Sequence, residues 1–161
     1  MRERTLILLR HAKSDWSGHE VDFARPLAKR GQRQAPEAGR WLAANIDSID
    51  LAVLSPAARA RTTWDLVAAQ LDVTTPTLID DRVYAASDED LLTVVRELDD
   101  DADTVVLVGH NPGIEDLAFM LTGQPVKMPT SALVVMSVEG SWSTAGRRSA
   151  LLRRAGRPPA P

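Results

Sequence analysis

Short runs in which nearly every position is apolar alternate along this chain with longer stretches in which apolar residues recur every three or four positions. A continuous apolar run of strand length predicts a β-strand buried on both faces, and the longer spacing predicts a helix with one buried stripe. Residues 5–9 read as a first strand. Residues 27–46 carry helical spacing, with Ala35, Leu42 and Ile46 among the apolar positions and Arg33, Glu37 and Arg40 among the polar ones. Pro36 interrupts that stretch, which predicts a helix that starts near Gln34 or bends there. Residues 50–54 read as a second strand, 57–71 as a second helix, 77–79 as a weak third strand and 88–98 as a third helix. Residues 104–108 form the clearest strand, closed by Gly109; 112–122 read as a helix and 132–138 as a further strand. Trp142 is read as the start of a short edge strand, residues 150–154 as a helical turn, and 156–161 as a frayed, proline-rich tail.

Strands alternating with helices imply βαβ units, hence an α/β fold with a mainly parallel sheet covered on both faces. With no internal repeat and no linker, a single domain is expected over residues 1–155, followed by a flexible tail over 156–161. At 161 residues, 44% apolar and 25% charged, the chain has the size and composition of one globular domain. The net charge of −3 gives no basic footprint for a nucleic acid, so an anion site here must be a local concentration of positive charge. The absence of cysteine excludes disulfides, thiolate catalysis and Cys-ligated zinc. No apolar run has the length of a signal peptide core or of a membrane span, so a cytoplasmic protein without a membrane partner is expected. No heptad pattern is present, and a monomer is the default expectation. The acidic run at 99–103 lacks the spacing of a calcium loop and reads as a solvated connection.

In open α/β sheets ligands bind beyond the carboxyl ends of the strands. Three such ends carry unusual residues: Arg10-His11-Ala12-Lys13-Ser14, then Ser55-Pro56-Ala57-Ala58-Arg59, then Gly109-His110-Asn111-Pro112. Ser55-Pro56 and Asn111-Pro112 can each be read as a helix start, with a capping side chain and proline in the first turn. That reading leaves the adjacent His and Arg unexplained. A cation in the first turn of a helix opposes the helix dipole, so Arg59 makes more sense beside an anion that dipole and guanidinium share. His19, in a polar loop, is not expected to take part.

The run Leu-Leu-Arg10-His11-Ala-Lys-Ser14 resembles the signature of the histidine phosphatase superfamily. The resemblance extends to Asp22-Phe-Ala-Arg25-Pro-Leu followed by Arg30-Gly31, to Ser55-Pro-x-x-Arg59-Ala-x-x-Thr63, and to Gly109-His110-Asn111-Pro112. In order and spacing it is similar to the small SixA-type branch, the phosphohistidine phosphatases. The resemblance implies a phosphoglycerate-mutase-like α/β/α sandwich. It also implies His11 as a covalent nucleophile, with Arg10, Arg59 and His110 binding the phosphoryl group, or a phosphate or sulfate ion in its place. Ser14, Asp22, Arg25 and Asn111 are candidate pocket residues; Asp22 and Arg25 could line the pocket or simply pair with each other. No metal or other cofactor is implied.

Larger relatives in that superfamily place a general acid on an inserted segment, and no insertion is present here. Asp15, Asp22, Asp88 and Glu115 are the candidate acids, and the sequence singles out none of them. A protonated phosphohistidine expels a neutral imidazole, a far better leaving group than an alkoxide, so a missing acid favours a phosphohistidine in a protein or peptide as substrate. The alternatives are a small-molecule phosphomonoesterase on the same scaffold and a phosphate-binding module without turnover.

Overall fold

The computed structural model describes residues 2–160. Six strands form one sheet in the order β3-β2-β4-β1-β5-β6: β1 is Glu3–Arg10, β2 Leu51–Leu54, β3 Thr77–Ile79, β4 Thr104–Gly109, β5 Leu133–Glu139 and β6 Ala150–Gly156. The four strands from β3 to β1 are mutually parallel, and β5 and β6 run antiparallel. Because strand side chains alternate between faces, each apolar strand feeds two cores. On one face Leu6, Leu8, Val53, Val105, Leu107 and Val134 pack with α3 (Asp88–Arg96) and α4 (Gly113–Thr122). On the other, Ile7, Leu9, Ala52, Leu54, Val106 and Val108 pack with α1 (Lys29–Asn45) and α2 (Ala58–Ala68). The result is a mainly parallel sheet covered on both faces, as the pattern of runs and periods implies, and the phosphoglycerate-mutase-like α/β/α sandwich that the family resemblance implies.

Three elements differ from expectation. Helix α1 does not start near Gln34; it begins at Lys29 and runs through Pro36. The turn before Pro36 is held by tertiary packing: Gly31 is buried, Ala28 N–H donates to Lys13 O, and the stripe Ala35, Ala38 and Leu42 faces the sheet. Trp142 does not begin a strand. It opens a 3₁₀ turn, Trp142–Thr144, with its indole fully buried and Nε1 donating to Ala102 O. Residues 150–154 are not a helical turn but most of β6, which pairs with β5 at the sheet edge. Beyond it, Gly156 bridges to Pro159, which is buried. No helix of the described residues is long and apolar enough to cross a membrane.

Strand register brings the three sequence motifs to one edge of the sheet. In β1 and β4, Leu9 pairs with Val108 and Arg10 with Gly109; in β2, Leu54 pairs with Val108. Strands β1 and β4 therefore end level, β2 one residue earlier, and His11, His110 and Ser55 are the next residues out. The backbone keeps that registration past the last rung, through His11 N–H to Gly109 O and Ser55 N–H to Val108 O, both 3.1 Å.

Candidate active site

A cavity of about 190 Å³ opens at these strand ends, lined by Arg10, His11, Lys13, Ser14, Trp16, Arg25, Arg59, His110, Asn111 and Thr130. It contains four permanent cations and no carboxylate. Larger hollows lie on the surface elsewhere, one of about 470 Å³ beside Phe119, but none holds a comparable set of convergent polar groups.

The His11 and His110 ring centroids are 5.1 Å apart. His11 is 7% exposed and its Nδ1 lies 2.8 Å from the Ala12 carbonyl oxygen. A carbonyl can only accept, so Nδ1 carries the proton and Nε2 keeps its lone pair. Burial is the main cause that pushes the His11 pKa down to about 4; the Ala12 carbonyl opposes it, and Arg59, Arg10 and Arg25 reinforce it. His110 is pushed to about 3, again mainly by burial, with His11 and Arg59 adding to it. Both rings are therefore neutral at pH 7.

The loop after β1 is fixed from three sides. Ala12 N–H donates to Thr63 Oγ1 (2.9 Å), whose hydroxyl donates to Arg59 O (2.7 Å), tying the loop to the first turns of α2. Ser131 N–H donates to Arg10 O and His11 O. Gly31 of α1 lies flush on Lys13: a Cβ there would sit 2.1 Å from Lys13 O, so only glycine permits this approach.

The guanidinium groups are aimed by backbone and carboxylate. Arg10 Nη1 donates to Met128 O (3.0 Å). Arg59, buried in the first turn of α2, donates to Asp22 O (2.7 Å) and Asp22 Oδ2 (3.1 Å). Arg25, also buried, donates through Nη2 to Asp22 Oδ1 (2.6 Å) and through Nη1 to the Ser14 hydroxyl. Of the two readings for Asp22, pairing is the one seen, with Arg59 as well as Arg25. Half-exposed and outside the pocket lining, it pairs with both Arg25 and Arg59, which line the wall with Ser14. Hydrogen bonds from Arg25 and Tyr84, with Arg59 nearby, hold the Asp22 carboxyl well below the usual carboxylate range.

Several buried nitrogens of the lining residues have no protein partner: the Nε donors of Arg10, Arg25 and Arg59, and Nδ1 of His110. Buried donors left unpaired are costly, and three around one cavity of this charge are what an anion would satisfy.

Ser55 and Asn111 do not serve as helix caps. The N-caps of α2 and α4 are Ala57 and Pro112, neither with a side-chain bond. Ser55, fully buried, accepts from Ala57 N–H and lies 2.6 Å from His110 Nε2. Asn111 Nδ2 donates to Glu115 Oε2 and to Met128 O. Of the other candidate acids, Asp15 accepts from Ser17, and Asp88 accepts from Glu89 N–H at the start of α3. His19 is exposed in its loop and lines no part of the pocket. Sequence reasoning missed Trp16 and Tyr84: Tyr84 lies 62 positions from the Asp22 carboxylate that it bonds, and no local pattern signals that. Among the described residues no group of three or more His, Asp or Glu is placed to share a metal ion.

The comparisons with known proteins agree with this arrangement. The structure superposes on SixA from Nakamurella multipartitia with a TM-score of 0.84 and 28% identity, covering 97% of this chain and 96% of that one. It superposes on SixA from Agrobacterium tumefaciens with a TM-score of 0.82 and 28% identity, covering 98% of each chain. An uncharacterized protein of Mycobacterium tuberculosis is 35% identical over 146 residues, 84% of this chain and 90% of the relative. The family model described as histidine phosphatase superfamily (branch 1) matches residues 6–84, which include Arg10, His11, Arg25 and Arg59. The family-model match and the superpositions on the SixA structures, which the Arg-His at the end of the first strand and the second histidine level with it accompany, show that the chain belongs to the histidine phosphatase superfamily.

Proposed function

We propose that the chain hydrolyses phosphohistidine, carried by a protein or peptide, through a covalent intermediate on His11 and without a metal ion. The observation that carries the reading is His11 itself: a buried, neutral imidazole with Nδ1 locked on Ala12 O, set in a pocket of cations. Attack by the Nε2 lone pair forms a P–N bond as the P–N bond to the substrate imidazole breaks. That ring, protonated on its other nitrogen, leaves as neutral imidazole. Water then adds to phosphorus, the bond to His11 breaks, Nε2 recovers its electron pair, and both water protons leave with the phosphate as H2PO4−. Arg10, Arg59 and His110 stabilise the charge spread over the equatorial oxygens, each worth about 10²–10³ in rate by analogy with other oxyanion donors.

The choice of a P–N substrate is supported by the absence of a carboxylate from the pocket lining, since an alkoxide leaving group needs a proton donor. Both SixA structures are of candidate phosphohistidine phosphatases. The test is to incubate the enzyme with a labelled phosphoryl donor, quench in alkali and look for an acid-labile adduct. Labelling is expected in wild type and absent in His11→Ala, with turnover unaffected by EDTA. Full turnover by His11→Ala would overturn the nucleophile, and a strong preference for small sugar phosphates would overturn the substrate.

A further inference from the structure

Trp16 lines the pocket yet is 71% exposed, and it belongs to neither hydrophobic core. Nothing in the packing of the fold requires a large aromatic residue there. One face of its indole is covered: the Arg25 guanidinium carbon lies 3.5 Å from the ring centroid. Arg25 is buried and already fixed from behind by Ser14 and Asp22, so the indole rests on an anchored cation and not the reverse. With that face occupied and the residue so exposed, the opposite face is left open.

The geometry of displacement says what reaches this face. In phosphoryl transfer the nucleophile and leaving group lie roughly in line through phosphorus. His11 lies buried in the pocket, so the leaving group departs toward its mouth, where the exposed Trp16 stands. We infer that Trp16, braced on Arg25, determines specificity for the leaving group, selecting a planar aromatic one by stacking on its open face. The imidazole of phosphohistidine is such a group. This rests on His11 as the nucleophile but not on the P–N bond, because stacking reads the ring and not the bond that breaks.

Four substrates separate the two properties: free phosphohistidine has ring and P–N bond, phosphoramidate the P–N bond alone, phenyl phosphate the ring alone, and ethyl phosphate neither. For each, kcat/KM of Trp16→Ala is divided by that of wild type, which cancels intrinsic reactivity. Aromatic stacking of ordinary strength predicts a loss of about three- to tenfold for phosphohistidine and phenyl phosphate. Phosphoramidate and ethyl phosphate should stay within about twofold, and Trp16→Phe should retain most of the ring preference. A uniform loss over all four would show that Trp16 merely holds Arg25, and no loss on any would show that it does nothing; either overturns the inference. If wild type ignores the P–N bond but favours rings through Trp16, the phosphohistidine reading fails while this one stands. Phenylphosphonate and methylphosphonate, which are not turned over, make the same comparison as binding: phenylphosphonate should be favoured by wild type and lose that advantage in Trp16→Ala.

Discussion

Acidification should destabilise this fold before its carboxylates are protonated, and the cause is the two histidines of the pocket. An unperturbed imidazole titrates near pH 6.5. In the folded chain His11 is held to about 4 and His110 to about 3. Above pH 6.5 both are neutral, folded or unfolded, and contribute nothing. As pH falls below 6.5 the unfolded chain binds two protons that the folded chain refuses, so stability is lost at about 1.4 kcal/mol per pH unit for each ring. The loss reaches about 3 kcal/mol for His11 and between about 4 and 5 kcal/mol for His110 when each folded value is reached. Against the 5–15 kcal/mol typical of a domain, that is a large share. Asp22, whose folded value is depressed, contributes stability above its unfolded pKa and loses it only below about pH 4, so the window from pH 6 to 4.5 isolates the histidines. Urea unfolding followed by tryptophan fluorescence in phosphate-free buffer should show wild-type stability falling by about 2.7 kcal/mol per pH unit there. His11→Asn should halve the slope. Equal slopes for the two proteins would mean that His11 titrates alike folded and unfolded, and the account of a desolvated neutral nucleophile would be wrong.

Ser55→Ala removes the hydroxyl 2.6 Å from His110 Nε2 and leaves that ring unfixed. The expected result is a stability loss of about 1 kcal/mol and a fall in kcat/KM of about tenfold, short of the 10²–10³ for losing a donor outright; unchanged kcat/KM would show that His110 is oriented by other contacts. Gly31→Ala places a methyl 2.1 Å from Lys13 O and 2.9 Å from Lys13 N, both backbone. It should lower the thermal midpoint, at a cost of about 1–3 kcal/mol, and displace the loop that carries His11; a variant as stable and active as wild type would contradict this packing.

The layered fold was legible because buried parallel strands need apolar residues on both faces: residues 5–9 and 104–108 have no other economical reading. Strand β6 was not, because an edge strand need not be apolar. Only Ala150 of it is buried, and its Leu, Arg and Ala residues favour helix locally until pairing with β5 overrides them. Pro36 misled for the same reason, since the signal was local and the packing of Gly31 and Ala35 is not. At the site, Arg10, His11 and His110 were legible because they stand at strand ends, and Arg59 because a cation in the first turn of α2 opposes the helix dipole. Ser55 was visible but took the role of a cap, while its partner His110 lies 55 positions away. Trp16 and Tyr84 gave no signal, because their meaning lies in what they rest on: Arg25 in one case, Asp22 in the other.

Strands β1 and β4 end level and side by side, and the two pocket imidazoles are the residues directly after them. Their 5.1 Å separation is close to the 4.7–4.9 Å by which any two hydrogen-bonded strands are spaced. The spacing of the two imidazoles thus follows the repeat of the sheet, which loops cannot readily alter. Trp16 and Arg25 of the pocket wall sit on the loop at 15–25, outside that lattice. The two imidazoles and the outer wall are thus set by different parts of the fold, joined through Asp22 of the loop, which holds Arg59 of α2; a lineage could change Trp16 while the two histidines beneath it stay in register.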